Sequence, residues 1–124
     1  MLHKRSSGSV EITSVDRGEL LAELRRVVAL LAAENPEVER VELFGSFVRG
    51  DFTPSSDVDL VIVVRATETP FLARADVYRH FFAHFPFDVH LLVYTRDEAE
   101  RLGAEPGFLR RALCDSLPLL DAAA

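Results

Sequence analysis

Asp57 and Asp59 stand two residues apart at the head of the apolar run Leu60-Val61-Ile62-Val63-Val64. A strand there projects both carboxylates from one face. Two carboxylates held so close repel when both are ionised, which raises their pKa values and costs stability unless a positive charge sits between them. A divalent cation supplies that charge. Mg²⁺ takes oxygen ligands, keeps several waters, and is held by one or two protein carboxylates together with substrate phosphates. Ten residues separate Asp57 from a preceding Gly45-Ser46 pair, which stands at the end of the alternating run Val38-Glu39-Arg40-Val41-Glu42-Leu43-Phe44. Gly45 and Ser46 therefore fall where a strand gives way to a loop or short helix, and backbone N–H groups there are free to take phosphate oxygens. The expected ligand is Mg²⁺ with a nucleoside triphosphate.

Each of these residues also has a plainer reading. Ser55-Ser56-Asp57 is ordinary turn chemistry, but Asp59 abuts a run that reads as buried. Gly45 can end a strand and Ser46 can start a helix while still presenting free N–H groups, so those readings coexist. Arg49 either contacts phosphate or pairs with Asp51 at the surface. His80 and His84 have the four-residue spacing of zinc ligands, yet no glutamate follows the first and no cysteine lies near, which favours a structural role. His90 shares a strand face with Asp88 and is left outside the site.

The Gly-Ser pair, the ten-residue gap and the Asp-x-Asp resemble the signature of the minimal nucleotidyltransferases of the DNA polymerase beta superfamily. The likeness extends to Arg49-Gly50 and to the apolar strand after Asp59, and it covers the chain from about Gly18 onward. It implies an α/β fold like the polymerase beta palm, a mixed sheet packed with helices. Two-metal phosphoryl transfer must activate an attacking oxygen and stabilise a leaving pyrophosphate, so a third carboxylate is expected. Asp88, at the head of the run Val89-His90-Leu91-Leu92-Val93-Tyr94, is the best candidate, although an acid after Pro86 can also be simply exposed. The implied site has Asp57, Asp59 and Asp88 as catalytic metal ligands for two Mg²⁺ ions. Gly45, Ser46 and Arg49 hold the ATP substrate.

The resemblance further implies that AMP is transferred, an inference that no identifiable base-reading residue carries. Standalone members of about this size resemble the antitoxin half of toxin-antitoxin pairs, whose partners are helical HEPN ribonucleases. Such an antitoxin transfers AMP to a tyrosine of the toxin and blocks its RNA-cleaving site. Two rival readings are an adenylyltransferase acting on an antibiotic hydroxyl, which normally needs a further helical domain over the acceptor, and a non-catalytic antitoxin that inhibits by occlusion.

The elements that must position this constellation can be read from periodicity. If the strand ending at Gly45 runs antiparallel to the one starting at Asp57, and the strand after Asp88 runs parallel to the latter, then Ser46, Asp57, Asp59 and Asp88 meet at one end of the sheet. Residues 69–85 are long enough for the helical crossover that a parallel pair requires. Asp16 and Glu19 make a capping box for a first helix carrying Leu20, Leu21, Leu24, Val27, Val28 and Leu31 inward, ended by Asn35-Pro36. Pro70 can start a second, with Phe71, Leu72, Ala75, Tyr78, Phe81 and Phe82 inward. Thr95 can cap a third that carries Glu98, and Pro106 can open a fourth containing Phe108, Leu109, Ala112 and Leu113. Family resemblance adds a short last strand at Leu117-Pro118-Leu119-Leu120, where Pro118 confines it to an edge or to its own beginning.

Composition limits what such a site could serve. With 124 residues, 48% of them hydrophobic, one core and one domain are expected, over residues 16–124 and preceded by a flexible tail over 1–15. A net charge of -6 argues against long nucleic acid as substrate, because proteins that grip a phosphate backbone carry basic surfaces. A lone Cys114 cannot form an internal disulfide, no apolar run reaches the length of a membrane span, and the start of the chain lacks the apolar core of a secretion signal. A cytoplasmic location is expected, with no membrane partner, and a homo-oligomer is compatible with this reading.

Overall fold

The computed structural model describes residues 2–7 and 10–121, with side chains from Asp16 onward. β1 (Leu2–Ser7) and β2 (Val10–Val15) pair antiparallel, Leu2 opposite Val15, in a two-stranded ladder that stays separate from the main sheet. A tail was expected there. Val10 and Ile12 alternate with polar neighbours, which is a strand pattern, but six residues of it are too few to be distinguished from coil by periodicity.

α1 (Arg17–Glu34) begins as the capping pattern predicts, Glu19 N–H donating to Asp16 Oδ1 at 3.1 Å. Its buried stripe is Leu20, Leu24, Val27, Val28 and Leu31. Each such side chain contributes about 1.5–3 kcal/mol on burial. β3 (Val38–Phe44) leads into the short helix α2 (Ser46–Arg49), and β4 (Val58–Val64) follows the intervening loop. α3 (Phe71–Tyr78) and a 3₁₀ turn over Arg79–Phe82 form the crossover to β5 (Val89–Thr95). α4 (Arg96–Ala104), α5 (Phe108–Cys114) and β6 (Leu117–Asp121) complete the described chain.

The strands form one sheet in the order β5-β4-β3-β6, with β4 antiparallel to β3 and parallel to β5. The predicted arrangement of these three strands is therefore observed. β6 runs antiparallel to β3 at the sheet edge, where Pro118 is opposite Glu42 beside an irregularity in the ladder. An edge is where a residue without an N–H can be accommodated.

The two faces of β4 separate two cores. Val58, Leu60, Ile62 and Val64 pack with the α1 stripe, whereas Val61 and Val63 pack with Tyr94, Ala99 and Leu109 on the α4 and α5 side. Asp59 alternates in step with Val61 and Val63, so its carboxylate belongs to the α4 and α5 side. Phe44, opposite Asp59 in the ladder, packs against that same second core.

Apolar residues at the starts of two helices are exposed, and in α3 this departs from the expected inward face. In α3, Phe71 is exposed and Leu72 is 91% exposed, while Arg74 and Tyr78 are buried. Arg74 is drawn in by Glu98 at 2.6 Å and by the carbonyls of Thr69 and Val93. The guanidinium is thereby satisfied at four acceptors, while Tyr78 and Phe82 are buried and Ala75 and Phe81 pack against the core as expected, so that only Phe71 and Leu72 at the start of the segment turn outward. Glu98 is itself fixed by the capping box with Thr95 that the sequence predicts. In α5, Leu109 is buried but Phe108 is 49% exposed.

Candidate functional site

The site begins with the way β3 ends. Gly45 has φ 84° and ψ -153°, a conformation open only to glycine in practice. It brings the backbone so close to β4 that a Cβ built on Gly45 would stand 2.5 Å from Asp59 Oδ2. The next residues wind into α2, where the Gly45 carbonyl accepts from Val48 N–H at 3.1 Å and Arg49 N–H at 3.2 Å. The leading N–H groups of a helix, here those of Ser46 and Phe47, have no intrahelical acceptor.

Several contacts hold this corner in place. Phe47 is fully buried, stacked on Phe52 at 4.7 Å and edge-on to Phe87 at 5.1 Å. Arg17 Nε donates to the Phe47 carbonyl at 2.9 Å and ties α1 to α2. In the loop before β4, Thr53 N–H donates to Ser56 Oγ at 2.8 Å and Ser56 N–H to the Thr53 carbonyl at 3.0 Å. This turn delivers Asp57 to the start of β4.

Gly45, Ser46, Arg49, Asp57 and Asp59 line one cavity of about 460 Å³. All five predicted residues of the Gly-Ser and Asp-x-Asp segments thus share one space. Burial pushes the Asp59 carboxyl above its ordinary range; the nearby Asp57 charge adds to this, while His90 and Arg49 oppose it. Arg49 also pairs with Asp51 at 3.3 Å, so both of its anticipated roles have a geometric basis.

Asp88 is not brought into that cavity. Its backbone carbonyl accepts from Val58 N–H at 2.8 Å, and the Val58-Val89 register sets it beside Asp57, but its side chain is exposed and lines no part of the space. The imidazole of His90, opposite Asp59 in the parallel ladder, stands instead between the two aspartates, with Nε2 3.4 Å from Asp57 Oδ2 and Nδ1 3.5 Å from Asp59 Oδ1. Among the described residues, no group of three or more His, Cys, Asp or Glu side chains converges to hold a metal ion. The far wall of the cavity comes from α5, through Phe108, Arg111, Ala112 and Asp115. Sequence reasoning assigned none of these to the site, because Phe108 and Ala112 enter it only as members of a helix opened by Pro106 and Arg111 has no motif around it.

Comparison with known proteins follows the same lines. Residues 24–119 match the family described as nucleotidyltransferase domain. A Methanocaldococcus jannaschii protein named as a candidate protein adenylyltransferase is 35% identical over 51 residues, 41% of this chain and 50% of that protein. The chain thus spans about half the length of the curated relative it matches. The crystal structure of a candidate nucleotidyltransferase from Sulfolobus solfataricus superposes with a TM-score of 0.60 at 23% identity, covering 82% of this chain and 80% of that one. A toxin-antitoxin crystallised with AMP-PNP gives a TM-score of 0.58 at 20% identity, over 80% of this chain and 74% of that one. A mutant of the toxin-antitoxin MntA-HpeT gives 0.56 at 17%, with the same coverage of 80% and 74%. At these identities the structural likeness is one of fold, whereas the sequence match spans well over half of the chain and includes every residue of the cavity. The chain belongs to the nucleotidyltransferase domain family.

Proposed function

We propose that this protein transfers AMP from ATP to a hydroxyl of a partner protein, a tyrosine of a HEPN ribonuclease toxin, and so acts as an antitoxin. The observation that carries the reading is the convergence of Gly45, Ser46, Asp57 and Asp59 on one cavity. Free amides for phosphate and paired carboxylates are what a metal nucleotide needs. The name of the archaeal relative supports transfer to protein, and two of the similar folds come from toxin-antitoxin assemblies.

The donor set fits a hard divalent cation. Both donors are oxygens, and two carboxylates facing one cavity favour a positive charge between them. With two carboxylates available, water and phosphate oxygens complete the shell, as Mg²⁺ sites with nucleotides commonly have it. Asp57 and Asp59 would hold Mg²⁺, which would supply positive charge to the triphosphate and to the departing pyrophosphate.

The chain's own residues then divide the work. Gly45 and Ser46 bind the distal phosphates through backbone N–H groups, and Arg49 adds charge from the same wall. Asp88, at the exposed start of β5, takes the proton of the acceptor hydroxyl as its oxygen attacks the α-phosphorus and the bond to pyrophosphate breaks. The carboxylate pair is reachable from the β5 side, where His90 is 64% exposed. A partner's side chain can enter there.

The test mixes the protein with α-labelled ATP, Mg²⁺ and a candidate helical partner encoded beside it. Label on the partner, lost with Asp57→Asn, is the expected outcome. Complex formation and inhibition without label would replace the proposal by occlusion, and label on an aminoglycoside with the partner untouched would replace it by antibiotic modification.

A further inference from the structure

α5 places a half-exposed aromatic ring beside the carboxylate pair. Phe108 is 49% exposed, and it stands edge-on to Phe44 with ring centroids 5.8 Å apart and planes at 77°. Phe44 is the residue directly opposite Asp59 in the ladder. Phe108 therefore rests on the shoulder of the carboxylate pair with its edge contact satisfied and much of its surface uncovered.

The cavities around it share this ring. Phe108, Phe44 and Asp59 line the 460 Å³ space that holds Gly45, Ser46, Arg49 and Asp57. The same three line a second space of about 490 Å³ bounded by His90 and Leu92. The ring thus borders both the first space and the open β5 side. One turn further along α5, Arg111 lines the first space, on the wall opposite Gly45 and Ser46.

Such a wall has the two properties that a nucleoside needs next to its phosphates. An aromatic ring with surface to spare offers a stacking platform that every base can use, and a guanidinium on the same helix face adds charge for the phosphate chain. Apolar lining alone would not choose a base.

Resting on the nucleotide reading of the cavity, we propose that Phe108 is the platform on which the nucleobase of the bound nucleoside triphosphate stacks, with Arg111 on the same wall contacting its phosphates. The inference goes beyond the family motif, all of which lies between Gly45 and Asp59. It assigns α5 to nucleotide binding.

The chain contains no tryptophan, so Phe108→Trp introduces a single indole whose emission reports directly on stacking. The full chain is titrated in Mg²⁺ with ATP and with inorganic tripolyphosphate, following both the indole and the heat of binding. ATP should quench the indole, and tripolyphosphate should bind without doing so. Phe108→Ala should weaken ATP binding by about 5- to 150-fold, the fold-change equivalent of losing one base stack, and should leave tripolyphosphate affinity unchanged. Phe108→Leu, which keeps apolar bulk against Phe44, should lose ATP affinity in the same way, and thermal unfolding of each variant separates this from loss of fold. Equal losses for both ligands, or an indole that ATP leaves unquenched while binding, overturn the platform and leave the phosphate site standing. If neither ATP nor tripolyphosphate binds the wild-type protein, the nucleotide reading of the cavity fails, and the platform with it.

Discussion

A side chain on Gly45 would collide with Asp59, because an ideal Cβ there lies 2.5 Å from Asp59 Oδ2 and 3.4 Å from its Cγ. The glycine also occupies φ 84° and ψ -153°, where L residues are strained. Gly45→Ala should therefore destabilise the protein by about 1–3 kcal/mol. It should also push the Asp59 carboxylate aside. Thermal unfolding checks the first effect and Mg²⁺-dependent nucleotide binding the second. An alanine variant with wild-type stability and binding would show that the corner yields easily and that its closeness has no functional weight.

Asp59 itself titrates in the sense expected of a carboxylate that awaits a cation. Burial and the Asp57 charge raise its folded pKa above the unfolded value. The native state then holds its proton more tightly than the unfolded state does, so this contribution to stability is present at low pH and is lost as pH rises through the folded pKa. At neutral pH the ionised group is a cost. Asp59→Asn should leave the metal-free protein as stable as wild type or more so at pH 7, with any gain vanishing below the ordinary carboxylate range. Transfer should be abolished. Unfolding of Asp59→Asn at pH 7, or transfer at the normal rate, would contradict the role given to this residue.

The corner at Gly45 and the alternation after Asp59 were legible from the sequence because both depend on local chemistry: a glycine at a strand end, and carboxylates at period two. The strand pairing followed from the same residues, since antiparallel β3 and β4 and parallel β4 and β5 bring the strand ends together. What stayed hidden depends on rotation and on packing partners. Arg74 was absent from the expected core because its burial requires Glu98, 24 residues later, to meet it. Phe108 was placed on a helix without a face, because helical spacing cannot tell the stripe that faces a sheet from a ring left beside a cavity. His90 was set aside for the related reason that its position between two carboxylates arises from register across strands.

The Arg74-Glu98 pair carries a pH signature of its own. Hydrogen bonds from Arg74, and next from the Thr95 backbone, hold the Glu98 carboxyl below its ordinary range. A depressed carboxylate stabilises the fold above the unfolded pKa, and that contribution is lost as pH falls through the folded value. Glu98→Gln should cost about 1–3 kcal/mol near pH 7, the scale of a charged hydrogen bond removed from a buried partner. The gap to wild type should close on acidification. Chemical denaturation at a series of pH values measures it, and a gap that is constant from neutral to acid pH would assign the effect to helix capping alone.

The last prediction concerns which group completes the aspartate pair. Asp88 lies outside the cavity and is exposed, so its removal has no direct route to nucleotide affinity. If it accepts the proton of the attacking hydroxyl, Asp88→Ala should lower the transfer rate by about 10²- to 10⁴-fold, the usual range for a general base, with the ATP Kd unchanged. His90 is the physical competitor, because its ring nitrogens lie 3.4 and 3.5 Å from Asp57 and Asp59. His90→Ala is expected to leave the rate within an order of magnitude of wild type. Single-turnover transfer measured beside nucleotide binding for both variants separates the two residues. A full-speed Asp88→Ala together with a crippled His90→Ala would move the third functional position from the start of β5 to the imidazole that already stands between the carboxylates.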